Sequence, residues 1–219
     1  MIPLRDDNPT RGTPWVSWAI MGGCLLTFLW QISLPGGQAQ SAVYAFGFIP
    51  ARIFGLAQLP ADLVVVPAWM TLISAMFLHG GWLHLIGNLL YLWIFSNNVE
   101  DCLGAPRFAV FYLSCGIVAA AAQALPAPGS TVPMIGASGA LAGVLGAYLV
   151  WFPRHHVLVL VPLGLFSQIV RLPAALVLGL WFALQLVAEF GGAKAGIAFR
   201  AHIGGFVAGL LLGPLLVRR

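Results

Sequence analysis

The sequence predicts an all-α membrane protein: a bundle of six transmembrane helices with a long, partly membrane-embedded first loop. Three observations carry that prediction. Of the 219 residues 60% are hydrophobic and only 7% charged, against roughly 25% charged in a soluble domain, so no water-soluble fold could hide the apolar surface. The apolar residues gather into stretches near the roughly 20 residues that one crossing requires. The charges fall mostly between those stretches rather than inside them.

The first span, about 15–34 (WVSWAIMGGCLLTFLWQISL), follows a short cytoplasmic segment, 1–14, and places Trp15 and Trp30 where interfacial aromatics belong. Its apolar run exceeds the roughly 7 to 15 residues of a signal-peptide core, so it is read as an anchor. Residues 35–81 form the long first loop. Its apolar pieces, VYAFGFIPARIF and AWMTLISAMFLH, are too broken to cross separately and are expected to be partly buried in the interface. Further spans are expected at about 82–98, 107–125, 136–151, 173–190 and 201–217, so that 15–219 forms one domain. The stretch VLVLVPLGLFSQIV, 157–170, is bounded by Arg154 and Arg171 and interrupted by Pro162 and Gly164. It reads as a re-entrant or surface segment.

Cytoplasmic loops attract Lys and Arg. With both termini in the cytoplasm, Arg5, Arg11, Arg107, Arg154, Arg171, Arg218 and Arg219 lie inside and Arg52, Lys194 and Arg200 outside. The net charge of +4 is therefore a topology signal. With six acidic residues and no basic run interleaved with aromatics, nucleic acid is not expected as a partner. Cys24, Cys102 and Cys115 show neither metal spacing nor a paired framework and read as packing residues.

Polar groups at membrane depth are costly unless paired or facing a wet cavity, which makes them candidate site residues. Four stand out: His84, Asn88, Ser138 and His202. In HGGWLHLIGN, His84 and Asn88 are four residues apart, one turn of helix, so they project from one face. Ser138 follows Pro133 and Gly136 at the start of the fourth span, where unpaired N–H groups and the positive dipole end favour negative charge. That helix, about 24 Å long at 1.5 Å per residue, falls short of a hydrocarbon core of about 30 Å. Its outer end should stop below the membrane surface.

The sixth span reads AHIGGFVAGLLLG, with Gly205, Gly209 and Gly213 at every fourth position and His202 at its head. The fourth span offers Gly139, Ala142, Gly143 and Gly146 in answer, and small residues on both sides allow close backbone approach. If the stripes meet, Ser138 and His202 come together near the outer ends of their helices. Neutral imidazole is suited to take the proton of a serine hydroxyl. The Ser138 N–H, the Asn88 amide and a His84 ring N–H could hold an oxyanion. Apart from Glu189 near an end, the later spans hold no acid, so a dyad is expected.

These segments resemble the signatures of the rhomboid intramembrane serine proteases: GASGA at 136–140, HGGWLHLIGN at 79–88 and AHIGG at 201–205, in the family's order. The resemblance implies Ser138 as nucleophile, His202 as general base, His84 and Asn88 in the oxyanion site and a structural role for His79. It also implies cleavage of membrane-anchored proteins near the outer end of a transmembrane helix, with no cofactor and no metal. The short N-terminal MIPLRDDNPTRG resembles that of bacterial members, which implies an inner-membrane location. The chain departs from the family at Trp69-Met70, where many members carry Trp-Arg, and at Ala142, where some carry an aromatic that stacks on the histidine. A catalytically silent relative that binds membrane helices would use the same fold but would be expected to lack the serine or histidine. Haem ligation would need facing histidines, and a transporter would place its polar groups at the midplane.

Overall fold

The structure is a computed structural model that describes residues 1–163, 166–191 and 198–217. In chain order it contains β1 (Ile2–Asp6), α1 (Trp15–Ser33), α2 (Gln38–Phe46), α3 (Pro50–Ile53), α4 (Thr71–Ser74), α5 (Trp82–Leu103), α6 (Ala105–Ala124) and α7 (Ser138–Trp151), followed by β2 (His156–Leu163), β3 (Phe166–Pro173), α8 (Ala174–Phe190) and α9 (Phe199–Leu216). Six long helices, α1 and α5 to α9, make a membrane bundle. Three of them, α1, α6 and α9, are long and apolar enough to cross a membrane by length and composition, and α7 and α8 are shorter apolar helices.

The centre of the bundle is α7, in which every residue from Ala140 to Tyr148 is buried. Its glycines explain how it packs. A Cβ at Gly205 of α9 would run into the carbonyl oxygen of Gly139, and one at Gly209 into that of Gly143. On its other side a Cβ at Gly143 would strike Cys115 of α6. Lipid tails are as apolar as the helices, so close van der Waals approach rather than hydrophobic exclusion holds such a pair together.

The second and third spans differ from the expected 82–98 and 107–125: α5 continues to Leu103, and α6 begins at Ala105. A single residue, Gly104, with a φ of 75°, turns the chain between them. The run of Asn98, Glu100 and Asp101 looks like the start of a loop, yet these side chains serve the packing. The Glu100 carboxylate, 4% exposed, accepts hydrogen bonds from the N–H groups of Val16 (2.9 Å) and Ser17 (2.8 Å) and from the Ser17 hydroxyl (2.7 Å). Negative charge at a helix N-terminus is stabilising, and here α5 supplies it to α1. Asp101 similarly accepts from the N–H groups of Arg11 and Gly12.

The segment 157–170, expected to be re-entrant or at the surface, lies at the surface as most of a β-hairpin rather than as a re-entrant piece; its Gly164 and Leu165 lie outside the described residues. The N-terminal segment 1–14 contributes β1, which completes an antiparallel sheet in the order β1-β2-β3. Pro3, Val157 and Val159 are buried on one face, while Ile2, Arg5, Ile169 and Arg171 are exposed on the other. Period-two alternation is hidden in the sequence because the outward positions of β2 are leucines as well. Proline is tolerated in β1 because that strand lies at the sheet edge. Asp7 ties the N-terminal segment to the hairpin, accepting from the His156 N–H and from Arg171, both at 2.8 Å, with the His155 and His156 rings nearby. The His156 hydrogen bond first, then the Arg171 partner, hold its carboxyl below the usual carboxylate range. Asp6 turns inward and accepts from Tyr148 at 2.6 Å. Burial pushes its carboxyl above that range, and the Tyr148 hydrogen bond opposes the shift.

The sheet, the α5–α6 turn and the end of α9 share one end of the bundle, where Arg107 donates to the Leu216 and Val217 carbonyls. Arg5, Arg11, Arg154 and Arg171 lie at the same end. Lys194, Arg218 and Arg219 fall outside the described residues. The opposite end carries the first loop, whose α2, α3 and α4 bury Ala42, Ala45, Pro50, Ala51 and Thr71. An arginine does brace this loop, from another position than the Trp69-Met70 pair: Arg52 donates to the carbonyls of Ala45 and Val66.

Candidate active site

Chain geometry places Ser138 and His202 before chemistry is considered. Gly136 has a φ of 117°, a conformation open to glycine and strained for any L side chain. It therefore ends the preceding loop, and α7 begins at Ser138 rather than at 136 as expected. The first N–H groups of the helix precede any intrahelical acceptor. The Gly205–Gly139 contact brings α9 against α7 one residue after Ser138 and three after His202. The His202 Nε2 stands 2.8 Å from the Ser138 hydroxyl oxygen. His202 is 9% exposed.

The other ring nitrogen of His202 fixes the proton arrangement. Its Nδ1 lies 2.8 Å from Oε1 of Gln185 on α8. The Gln185 amide is oriented in turn by donating its Nε2 to the Trp181 carbonyl at 3.2 Å. A carbonyl can only accept, so Nδ1 carries the hydrogen and Nε2 is left as the acceptor for the serine O–H. The Trp181 ring sits 5.9 Å from the imidazole, inclined by 38°. Thus α8 supplies the aromatic neighbour that Ala142, fully buried in α7, does not. Sequence reasoning missed both residues because it looked for an orienting acid. The available signal was Gln185, an amide in the apolar run 174–188, one turn after Trp181.

Opposite the serine stand His84 and Asn88 of α5, one turn apart. The His84 Nδ1 accepts from the Gly80 N–H at 3.3 Å, which leaves the Nε2–H free for the cleft. A Cβ on Gly136 would lie 2.6 Å from that Nε2 and 3.7 Å from Asn88 Nδ2, so both donors reach the strand of chain leading into Ser138. Asn88 is 5% exposed, and its Nδ2 has no hydrogen-bond partner among the described residues. A cleft of about 1180 Å³ is lined by His84, Asn88, Gly136, Ser138 and His202, and extends to Met76 and the first loop.

His79 lies beside this group without entering it. Its main chain exchanges hydrogen bonds with the Gln31 side chain of α1, its Nδ1 lies 3.1 Å from the Phe77 carbonyl, and its ring meets that of His84 edge-on at 5.1 Å. Of the residues singled out by sequence, the structure brings Ser138, His202, His84, Asn88 and Gly136 to one cleft. It places Gly139 and Gly205 in the seam beneath them and His79 behind His84.

Fold and site together define a helical integral membrane protein with a paired serine and histidine at one end of its bundle. The chain belongs to the rhomboid family: the family model for the Rhomboid domain matches residues 67–219. It is 31% identical over 196 residues to the mitochondrial Rhomboid protein 1 of Saccharomyces cerevisiae, covering 80% of this chain and 53% of the yeast protein. It is 30% identical over 155 residues to the rhomboid protease GluP of Bacillus subtilis, covering 71% and 27%. RHOMBOID-like protein 5 of Arabidopsis thaliana is 31% identical over 148 residues, covering 68% and 44%. The chain thus spans about half or less of the length of these relatives.

Proposed function

We propose that the chain is an intramembrane serine endopeptidase that cleaves membrane-anchored proteins in or near their transmembrane segments. The observation that carries this reading is the 2.8 Å contact between the Ser138 hydroxyl and the His202 Nε2, in a cleft that also holds an amide donor from Asn88 with no partner among the described residues. His202 takes the serine proton as Oγ attacks the scissile carbonyl carbon. The resulting oxyanion accepts hydrogen bonds from the first N–H groups of α7, from His84 Nε2–H and from Asn88 Nδ2. His202 then protonates the leaving amine, which departs and leaves an ester on Ser138. Water, deprotonated by the same imidazole, hydrolyses that ester.

The depth of the site supports a membrane substrate. With 14 residues, α7 is about 21 Å long at 1.5 Å per residue, some 9 Å less than a hydrocarbon core of about 30 Å. A serine at its outer start therefore lies below the bilayer surface, within reach of a transmembrane helix that unwinds at its end. We place the sheet end and both termini in the cytoplasm and the protein in a bacterial inner membrane. The gathering of Arg5, Arg11, Arg107, Arg154 and Arg171 at the sheet end supports that orientation; the relatives include both mitochondrial and bacterial proteins.

The test is covalent labelling of the detergent-solubilised protein by a fluorophosphonate, with parallel cleavage of a reconstituted single-span substrate. Wild type should label and cleave, and Ser138→Ala and His202→Ala should do neither. Persistent labelling of Ser138→Ala, or a wild-type protein inert to the probe and to a panel of single-span substrates, overturns the reading. The second result describes a catalytically silent helix-binding relative.

A further inference from the structure

We propose that Gln185 is the positioning residue for His202, making a hydrogen-bonded Ser138–His202–Gln185 array whose third member is a neutral amide carried by α8. The inference rests on the protease reading above and adds a residue to it. Three observations carry it. Gln185 Oε1 lies 2.8 Å from His202 Nδ1. The amide cannot reverse its ends without losing the hydrogen bond from its Nε2 to the Trp181 carbonyl. The rings of Trp181 and Phe182 pack on Phe206 of α9, with Phe182 stacked at 4.4 Å, so α8 is held against α9 in the turn before Gln185 and the amide is kept beside the imidazole.

The chemistry explains why an amide suffices. Free imidazole interconverts between two tautomers, and only the one with hydrogen on Nδ1 leaves Nε2 able to accept the serine proton. An amide oxygen at Nδ1 selects that form. As Nε2 gains the proton, the Nδ1–H donor becomes part of an imidazolium and the same hydrogen bond strengthens. Gln185 touches neither substrate nor the reacting oxygen, and it neither gains nor loses a proton. Its effect passes entirely through His202.

The experiment combines labelling rates with ¹⁵N spectra of histidine-labelled protein in detergent, where the chain's five histidines are few enough for His202 to be assigned by difference against His202→Ala. In wild type, His202 should show the hydrogen on Nδ1. Gln185→Leu should populate the other tautomer and slow fluorophosphonate labelling and kcat by about 10- to 100-fold, the scale of one hydrogen bond to a charged group, with KM within about twofold. Gln185→Glu keeps an acceptor at the same place and should recover most of the rate. A wild-type His202 found with its hydrogen on Nε2 overturns the proposal without recourse to any variant. So does a Gln185→Leu protein that labels at the wild-type rate. Neither result touches the protease reading, which falls instead if Ser138→Ala still labels.

Discussion

The carbonyl oxygen of Gly139 occupies the space that a side chain at Gly205 would need, so the backbones of α7 and α9 touch directly beneath the serine–histidine pair. A methyl group at 205 must push the helices apart. Gly205→Ala is expected to destabilise the protein by about 1 to 3 kcal/mol, the cost of overpacking a tight contact, and to slow labelling of Ser138 by widening the Ser138–His202 distance. Gly213→Ala, whose Cβ would meet the Ala147 Cβ at 3.0 Å far from the site, should cost less stability and leave labelling near wild type. Thermal unfolding in detergent and probe kinetics on the two variants check the contrast.

Gly136 is constrained twice, by its φ of 117° and by the nearness of His84 Nε2. Alanine there strains the backbone by about 1 to 3 kcal/mol and displaces the imidazole. Gly136→Ala should therefore lose activity out of proportion to stability: kcat falls by at least about 10²-fold, comparable with the loss of an oxyanion donor, while the unfolding temperature drops modestly. Equal activity at equal fold would mean that the 136 loop and His84 do not work together.

Asn88 offers a buried amide nitrogen with no partner among the described residues. A donor held in the cleft and engaged most strongly when charge develops on an acceptor stabilises the transition state rather than the fold. Asn88→Ala should lower kcat by about 10²-fold with little change in KM, and it should leave stability unchanged or slightly higher. A rise in KM at constant kcat would assign Asn88 to ground-state binding instead.

The two neighbouring carboxyls of the N-terminal segment should respond oppositely to neutralisation. The Asp7 carboxyl is held below its ordinary value, so its stabilising contribution is fully present above the ordinary carboxylate range and is lost as pH falls through the lowered value. Asp6 is pushed up by burial, so its ionisation costs stability as pH rises through the raised value. Asp7→Asn should therefore loosen β1 at neutral pH, seen as faster amide exchange in residues 2–6. Asp6→Asn, which can still accept from Tyr148, should leave exchange unchanged or slower. In wild type, the protection of the β1 amides relative to their intrinsic exchange rates should fall as the pH is taken below the ordinary carboxylate range, and fall further in Asp6→Asn, which lacks the opposing carboxyl.

The site residues that sequence reasoning found share one property: they are polar where the surroundings forbid it, at spacings that a helix turns into a common face. His84 and Asn88 announce themselves by their four-residue interval, and His202 by the glycines that follow it. Gln185 escaped because a neutral amide in an apolar helix reads as interhelical glue until its partner is seen. The sheet escaped for another reason. In VLVLV both faces are apolar, which removes the alternation that marks a half-buried strand, and its first partner strand lies more than a hundred residues away. Glu100 and Asp101 misled in the same manner, as charges that look like a loop while Glu100 caps the distant α1 and Asp101 holds the segment before it.

Because Asp6 meets Tyr148 across 142 positions and Asp7 meets Arg171 across 164, a strand synthesised before α1 is among the last elements to find its place. Until the hairpin has been synthesised, the opening strand has no edge to join. Its pairing therefore serves as a latch on a finished insertion: a chain stalled after α7 would display residues 1–14 as a loose, protease-sensitive segment, and one extended past β3 would not.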